Sequence, residues 1–188
     1  STFAGIKIMV KPKELASFGT FSSNDQALAV AEVKGNKPLV LEKGQLILAL
    51  DDIRDPGNLG TIIRIADWYG INKLLMSENT ADIYNPKVLN ASMGSFTRMN
   101  FEYVDLFNKL KGSGIPIYGA FLEGMNVHQL TDAAEGVLLM GNESNGISKQ
   151  MENIVTQKLT IPAFGKAESL NVAIATAVLC DNLKRNMQ

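Results

Sequence analysis

Five polar residues, widely separated in the chain, have side chains that could bind and orient a reacting group. They supply one cation, one anion and three neutral hydrogen-bonding groups, namely Arg64, Glu143, Asn58, Ser169 and Asn171. The chain offers few groups for covalent catalysis, because it contains one histidine, His128, and one cysteine, Cys180. The set is therefore typical of a site that binds and positions its substrate.

Neither the cysteine nor a metal cluster is a strong candidate for chemistry. Cys180 lies in an apolar helical pattern, where a free thiol behaves as a small hydrophobic side chain. One histidine and one cysteine are too few for a zinc site with the usual nitrogen and sulfur ligands. A magnesium ion bound by carboxylates alone stays open, but we expect that no metal is required.

Asn58 and Arg64 belong to a strand, turn and helix. The apolar run Leu46–Leu50 is typical of a strand buried on both faces of a parallel sheet. Residues 55–58 (Asp-Pro-Gly-Asn) form a turn, and Asn58 is expected to cap the following helix. Helical spacing places Arg64 on the outer face, opposite the core positions Leu59, Ile62, Ile63 and Ala66. Because ligands bind at the carboxyl ends of parallel strands, Arg64 is either a ligand contact or simply solvated.

Glu143 lies in a glycine-rich loop that follows a second apolar strand, residues 137–140. The spacing Gly141-xxxx-Gly146 is that of a phosphate-binding P-loop, but Ile147 occupies the position of its lysine. Without that cation the loop has no charge contact for nucleotide phosphates, which argues against an NTPase. The alternative interpretation is that the glycines form a turn and that Glu143 is a solvated acid.

Ser169 and Asn171 precede or open the last helix, which the apolar pattern predicts over about residues 170–185. Glu168 or Ser169 is expected to cap this helix. A separation of two residues corresponds to about 200° around a regular helix. Ser169 and Asn171 can therefore share a site only if one of them lies at or before the first turn.

Strands and helices alternate from Leu46 onward, which predicts an α/β fold with a mostly parallel sheet flanked by helices. Further strands are predicted at 73–76, 101–104, 115–121 and 158–161, and further helices from Pro86 and over 106–110. Residues 1–45 differ, because alternation at 6–10 and the run 28–33 indicate two strands but too little apolar material for an independent domain. We expect the chain to be a piece of a longer protein.

The composition is that of a globular protein, with 46% hydrophobic residues among 188. No run of about 18 apolar residues and no secretory signal is present, so we expect a cytoplasmic location. The net charge of −1 argues moderately against a nucleic-acid partner. Local basic groups still permit one, and they lie near the start of the chain and around the candidate residues: Lys7, Lys11, Lys13, Arg54, Lys87 and Arg98.

Three stretches resemble, in order and spacing, the signature motifs of the SpoU/TrmH branch of the SPOUT RNA ribose methyltransferases. They are DPGNLGTIIRIADWYGI, LLMGNESNGIS and IPAFGKAESLNVAIATAVL. The stretch YNPKVLNASMGSF is also similar, although Asn90 stands where the family often has a basic residue. This resemblance covers residues 46–188. Residues 1–45 resemble the remnant of an N-terminal RNA-recognition domain with a linker.

The resemblance implies a deep trefoil knot in the C-terminal part of the fold and a homodimer with its active site at the interface. It implies methyl transfer from S-adenosylmethionine to a ribose 2'-hydroxyl of tRNA or rRNA, with no metal. Catalytic roles carry over to Asn58, Arg64, Glu143, Ser169 and Asn171. The cofactor would be held mainly by the backbone of the knotted loops, around Leu139, Met140, Gly141, Ile161, Leu170 and Asn171.

In the family, the counterpart of Arg64 is proposed as the base that takes the hydroxyl proton. Because a guanidinium resists deprotonation, we favour a clamp on the RNA phosphate that also stabilises negative charge on the 2'-oxygen. Two other functions stay open: a catalytically silent RNA-binding or assembly module on the same fold, and another α/β nucleotide-binding enzyme such as a dehydrogenase. The second is weak, because no G-x-G-x-x-G follows the first strand.

Overall fold

The computed structural model describes residues 5–18, 26–33, 35–131 and 135–186. The chain divides into two compact units, Ser1–Lys34 and Gly35–Gln188. In the first unit the described residues contain one helix, α1 (Pro12–Phe18), and no strand, so the strands predicted at 6–10 and 28–33 are wrong. Alternation is not sufficient for a strand without a ladder partner, and Ile8 and Val30 remain 78% and 92% exposed.

The second unit is built on a parallel sheet. Within its described residues, six strands pair in the order β3-β2-β1-β5-β4-β6, and every pairing is parallel. The strands are β1 (Leu46–Leu50), β2 (Lys73–Met76), β3 (Asn100–Tyr103), β4 (Ile117–Asn126), β5 (Gly136–Met140) and β6 (Gln157–Thr160). The predicted α/β class and the positions of the predicted strands are confirmed, with shifts of a few residues at their ends.

Helices connect these strands. They are α2 (Pro56–Trp68), α3 (Pro86–Ser92), α4 (Leu106–Leu110), α5 (Lys149–Glu152) and α6 (Val172–Arg185), with short 3-10 segments at Ser95–Arg98 and Val127–Gln129. The helices predicted from Pro86, over 106–110 and at the end of the chain are confirmed. Throughout the described part of the chain, no helix has both the length and the apolar character needed to cross a membrane.

The central strands β1 and β5 are buried on both faces, which explains their uninterrupted apolar sequences. Leu48 packs on one side with side chains of α2 and α6, whereas Ile47 packs on the other side with those of α4 and α5. Cys180 is fully buried on the α2 side, and burial raises the pKa of its thiol to about 12. The cysteine therefore serves as a small core side chain.

The segment that precedes β1 is hydrogen-bonded to β3 and to the first residue of β2. The side-chain amide of Asn36 donates to the carbonyl of Tyr103 (3.0 Å) and accepts from its N–H (2.7 Å). Further along, the N–H of Leu39 donates to the Glu102 carboxylate (2.7 Å), and Lys73 donates to the carbonyl of Val40 (2.9 Å). The second compact unit therefore includes residues that lie ahead of Leu46.

Replacing Glu102 with alanine is expected to lower the free energy of unfolding by about 2 kcal/mol. The carboxylate is 8% exposed and also accepts from the ammonium of Lys109 (2.8 Å). Its removal leaves that ammonium and the N–H of Leu39 without their acceptor. Urea denaturation measures the change, and Glu78→Ala, an exposed acid, is the control, expected to stay within about 0.5 kcal/mol of wild type. Equal stability of the two variants would contradict the anchoring role of Glu102.

Candidate active site

Loops from three separate parts of the second unit meet at the carboxyl ends of β1 and β5. These two strands are neighbours in the sheet, with Leu50 opposite Met140. The loop after β1 leads into α2, the loop after β5 covers residues 141–148, and the third segment, residues 161–171, precedes α6. This is the edge of a parallel sheet where ligands bind.

A chain of hydrogen bonds joins one predicted residue from each loop. The Asn58 amide nitrogen donates to Oε1 of Glu143 (3.1 Å), and the Asn171 amide nitrogen donates to Oδ1 of Asn58 (2.9 Å). The partners lie 85 and 113 residues apart in sequence. Because both ends of the Asn58 amide are engaged, its orientation is fixed.

The N-terminus of α2 positions Asn58 for these hydrogen bonds. The helix begins at Pro56, a residue suited to the first turn because it has no N–H to satisfy. Its cap is Asp55, whose Oδ1 accepts from the N–H of Asn58 at 2.8 Å. The prediction that Asn58 caps the helix is therefore wrong, because Asn58 already lies within the first turn. Its side chain is left available for Glu143 and Asn171.

The N-terminus of α6 places Asn171. The helix begins at Val172, and Oδ1 of Asn171 accepts from the N–H groups of Ala173 (2.9 Å) and Ile174 (3.4 Å). The prediction that Glu168 or Ser169 caps the helix is wrong, because the chain becomes helical later than the apolar pattern indicates. The amide of Asn171 thus caps the helix with its oxygen and holds Asn58 with its nitrogen.

Glu143 binds the β1–α2 loop through several donors. Its carboxylate accepts from the N–H groups of Arg54 (3.3 Å) and Asp55 (3.1 Å), in addition to the amide of Asn58. Glu143 is exposed, but these hydrogen bonds contradict the interpretation that it is a lone solvated acid. Glu143 thus positions the β1–α2 loop and the side chain of Asn58.

The loop after β5 has a closed geometry that depends on Asn142, a residue that the sequence analysis missed. Its Oδ1 accepts from the N–H groups of Ser144 and Asn145 (both 3.0 Å), and its Nδ2 donates to the carbonyl of Asp52 (2.8 Å). Asn is typical of such turns, and its place ahead of Ser-Asn-Gly was the signal available in the sequence. Asn142 therefore adds a second link between the two loops, and its Nδ2 also lies 3.5 Å from Oε2 of Glu143.

Gly141 and Gly146 are required by this loop for different reasons. Gly146 has φ of +67°, a conformation that other residues rarely adopt. A Cβ atom on Gly141 would lie 2.2 Å from the backbone carbon of Gly146 and from the nitrogen of Ile147. The turn interpretation of the two glycines agrees with this geometry, because the two ends of the loop lie in close backbone contact.

A cavity of about 1170 Å³ opens beside these loops. Of the residues predicted to bind a cofactor, four line it, namely Met140, Gly141, Ile161 and Leu170. Leu139 does not, because its side chain is fully buried in the core on the α4 and α5 side of the sheet. Asn171 is not among the lining residues either, although its neighbours in sequence are. Ser169 and Glu143 also face the cavity.

Arg64 stands apart from the hydrogen-bonded chain. It lies on the exposed face of α2, does not line the cavity, and has no hydrogen bond or ion pair to any residue within the described ranges. Ser169 is likewise exposed. The structure therefore joins Asn58, Glu143 and Asn171 directly, brings Ser169 to the same cavity, and leaves Arg64 on the neighbouring helix surface. Across the described residues, no group of three or more His, Cys, Asp or Glu side chains could hold a metal ion.

Comparison with known proteins identifies the family. The model of the SpoU rRNA methylase family matches residues 45–181. The chain belongs to this family. The match spans all three loops of the candidate site, and the resemblance inferred from the three sequence motifs is confirmed. All members of the hydrogen-bonded chain, Asn58, Glu143 and Asn171, lie within the SpoU region.

Relatives in the SpoU family include enzymes with named RNA substrates. The chain is 36% identical over 151 residues to the 23S rRNA (guanosine(2553)-2'-O)-methyltransferase RlmP of Bacillus subtilis, a match that covers 77% of this chain and 60% of RlmP. The match covers 60% of RlmP, 66% of a tRNA/rRNA methyltransferase of Borreliella burgdorferi and 50% of the 23S rRNA (uridine(2479)-2'-O)-methyltransferase of Streptomyces viridochromogenes, so the chain spans about half to two thirds of these relatives.

Solved structures of SpoU proteins share the fold. The methyltransferase AviRb from Streptomyces viridochromogenes, in complex with the cofactor AdoMet, superimposes with a TM-score of 0.83 at 27% identity, covering 95% of this chain and 72% of that one. The AdoMet-bound rRNA methyltransferase from Sinorhizobium meliloti gives a TM-score of 0.77 at 30% identity, covering 82% and 62% of the two chains.

Proposed function

We propose that this SpoU-family chain transfers a methyl group from S-adenosylmethionine to a ribose 2'-hydroxyl of tRNA or rRNA. The observation that carries the proposal is the hydrogen-bonded chain of Glu143, Asn58 and Asn171, which unites one polar residue from each family motif beside a cavity. Relatives named as RNA 2'-O-methyltransferases and relatives solved with AdoMet support it.

The cavity has the properties that such a cofactor requires. Its volume accommodates a nucleoside-sized ligand, and its lining combines apolar residues such as Met140 and Leu170 with polar ones such as Ser169. Met140, Gly141, Ile161 and Leu170 would hold the cofactor from the cavity wall, with Leu139 contributing backbone only and Asn171 fixing the entry to α6. When bound, S-adenosylmethionine supplies an electrophilic methyl group, so the protein must align the reactants and manage one proton.

The polar residues divide these tasks. Glu143 positions Asn58 and the β1–α2 loop, and Asn58 in turn orients Asn171. Ser169 presents a hydroxyl to the cavity that can hydrogen-bond a substrate. Arg64, exposed on α2, clamps the phosphate beside the target ribose and stabilises negative charge that develops on the 2'-oxygen. The planar guanidinium suits this contact, because it binds a phosphate through two parallel hydrogen bonds.

The proposal extends to the assembly of the enzyme. A homodimer would bury apolar surface, and α2 and α6 each carry an exposed apolar side chain, Trp68 (84% exposed) and Ile174 (53% exposed). The chain leaves β6 at the edge of the sheet and returns to α6, which packs on α2, and the trefoil knot would form by threading of residues 161–171 on this path. Residues 1–45 would belong to an RNA-recognition domain and its linker, of which residues 36–40 contact the sheet of the second unit, and the enzyme would act in the cytoplasm.

Calorimetric titration with S-adenosylmethionine and methyl transfer to unmodified tRNA and rRNA transcripts test the proposal. We expect the wild-type chain to bind the cofactor and to produce 2'-O-methylated nucleosides, identified by mass spectrometry of RNA digests. Asn171→Ala should weaken cofactor binding about tenfold, because it removes the cap of α6 and the link to Asn58. Asn153→Ala, an exposed residue at the end of α5, is the matched control and should bind as wild type does.

A folded wild-type chain that binds RNA but not S-adenosylmethionine would overturn the proposal. That outcome would favour a catalytically silent RNA-binding or assembly module on the same fold. Equal cofactor affinity of the Asn171→Ala variant and wild type would instead remove the last motif from the cofactor site.

A further inference from the structure

An ion pair next to Arg64 has no part in the proposed chemistry. Asp67 follows Arg64 by three residues on α2, and its carboxylate binds Arg98 of the 3-10 segment Ser95–Arg98. Nε of Arg98 lies 3.1 and 3.0 Å from the two carboxylate oxygens, and its Nη2 lies 2.6 Å from Oδ2. The same Nη2 donates to the hydroxyl of Ser95 (3.3 Å), which is buried.

This pair keeps Asp67 charged and engaged. Hydrogen bonds from Arg98 and then from Ser95 hold the pKa of the Asp67 carboxyl below its ordinary value. The carboxylate is therefore an anion at neutral pH, and 25% of its side chain is exposed. Since residues three apart on a helix are neighbours, an Asp and an Arg at this spacing normally attract each other. Among the described residues, however, Arg64 pairs with none, and Asp67 pairs with Arg98.

We propose that Arg98 is a positioning residue, which occupies the Asp67 carboxylate and so keeps the Arg64 guanidinium available for an RNA phosphate. This inference rests on the proposed role of Arg64 in RNA methylation. Three hydrogen bonds from a planar guanidinium outweigh a pair between exposed helical neighbours, so Asp67 stays with Arg98. Without Arg98, Asp67 is an unneutralised anion beside Arg64, and it would both attract that side chain and repel an incoming phosphate.

The test uses five variants of the full chain: Arg98→Leu, Asp67→Asn, the double variant Arg98→Leu/Asp67→Asn, Arg64→Ala, and Arg64→Ala combined with Arg98→Leu. The first readout needs no RNA. Phenylglyoxal modifies accessible, unpaired arginines, and peptide mass spectrometry follows the modification of Arg64 in each variant. We expect Arg98→Leu to slow modification of Arg64 about threefold and the double variant to restore the wild-type rate.

The second readout is the KM for an unmodified 23S rRNA transcript. Arg98→Leu should raise KM about fivefold with little change in kcat or in cofactor affinity, and the double variant should return KM to within about twofold of wild type. In the Arg64→Ala background, Arg98→Leu should raise KM by less than about twofold, because only the repulsion of the phosphate by Asp67 remains. A merely structural role for Arg98 would not produce this coupling to Arg64.

Two results would overturn the inference. If the KM of the double variant stays as high as that of Arg98→Leu, Arg98 contacts RNA itself or acts only through the fold. If the Arg64 modification rate is the same in all variants that retain Arg64, Asp67 does not compete for that side chain. Failure of the proposed function is distinguishable, because wild type would then methylate no RNA while the modification readout would still report the state of Arg64.

Discussion

Replacing Arg64 with alanine is expected to lower kcat/KM for RNA methylation by at least about 100-fold, while the affinity for S-adenosylmethionine stays within about twofold of wild type. The reason is its position: Arg64 is exposed on α2, outside the cavity that would hold the cofactor. Loss of the guanidinium removes both a phosphate contact and the positive charge that opposes developing charge on the 2'-oxygen. Steady-state methyl transfer to an unmodified transcript and cofactor calorimetry measure the two quantities.

Arg64→Lys separates charge from shape. A lysine keeps the positive charge but cannot make two parallel hydrogen bonds to a phosphate, so we expect at least about a tenfold loss of kcat/KM. Arg185→Ala, an exposed arginine in an i,i+4 ion pair on α6, is the control and should retain activity. Nearly full turnover by Arg64→Lys would contradict the clamp hypothesis, which requires the planar guanidinium.

Replacing Gly141 with alanine is expected to weaken binding of S-adenosylmethionine by about 100-fold, at the upper end of the usual cost of overpacking. The added Cβ would lie 2.2 Å from the backbone of Gly146 and Ile147, and no side-chain rotation can relieve a contact with backbone. The loop of residues 141–148 must therefore shift, and Glu143 moves with it. Calorimetry measures the affinity, and circular dichroism with thermal melting reports whether the chain remains folded.

Gly165→Ala provides the matched control for Gly141→Ala. Gly165 also lines the cavity, but a Cβ atom there would meet no heavy atom within 4 Å, and the residue is not in the left-handed region. We expect its fold to be unchanged and its cofactor affinity to fall by less than about threefold. A folded Gly141→Ala variant that binds the cofactor as tightly as Gly165→Ala would exclude this loop from the binding site.

Much of the second unit could be predicted from the sequence because burial on both faces leaves a simple pattern. Strands such as β1 and β5 read as uninterrupted apolar runs, and α2 carries its core residues at helical spacing. The same reasoning failed at residues 6–10 and 28–33, where alternation has no partner strand among the described residues. Sequence alternation indicates that a segment favours the extended conformation, but a strand also requires a neighbouring strand with which to pair.

The site was predicted as a set of residues but not as an arrangement. Motif resemblance named Glu143, Asn58 and Asn171, yet their hydrogen bonds join positions 85 and 113 residues apart, which only the fold brings together. Capping was misassigned because Asp55 and Asn58 are both good caps, and the choice depends on where the helix begins. The ion pair between Arg98 and Asp67 likewise joins the 3-10 segment Ser95–Arg98 to α2, and no local sequence pattern encodes this contact.

The amide of Asn36 makes the two hydrogen bonds with Tyr103 that a neighbouring strand would otherwise make. Because β3 is the outermost strand on its side of the sheet, this side chain blocks the pairing of a further strand with β3. Open edges recruit strands from other molecules and lead to aggregation. A chain shortened to residues 46–188 would keep all three family motifs but lose Asn36. We therefore expect its solubility to fall while its active site stays intact.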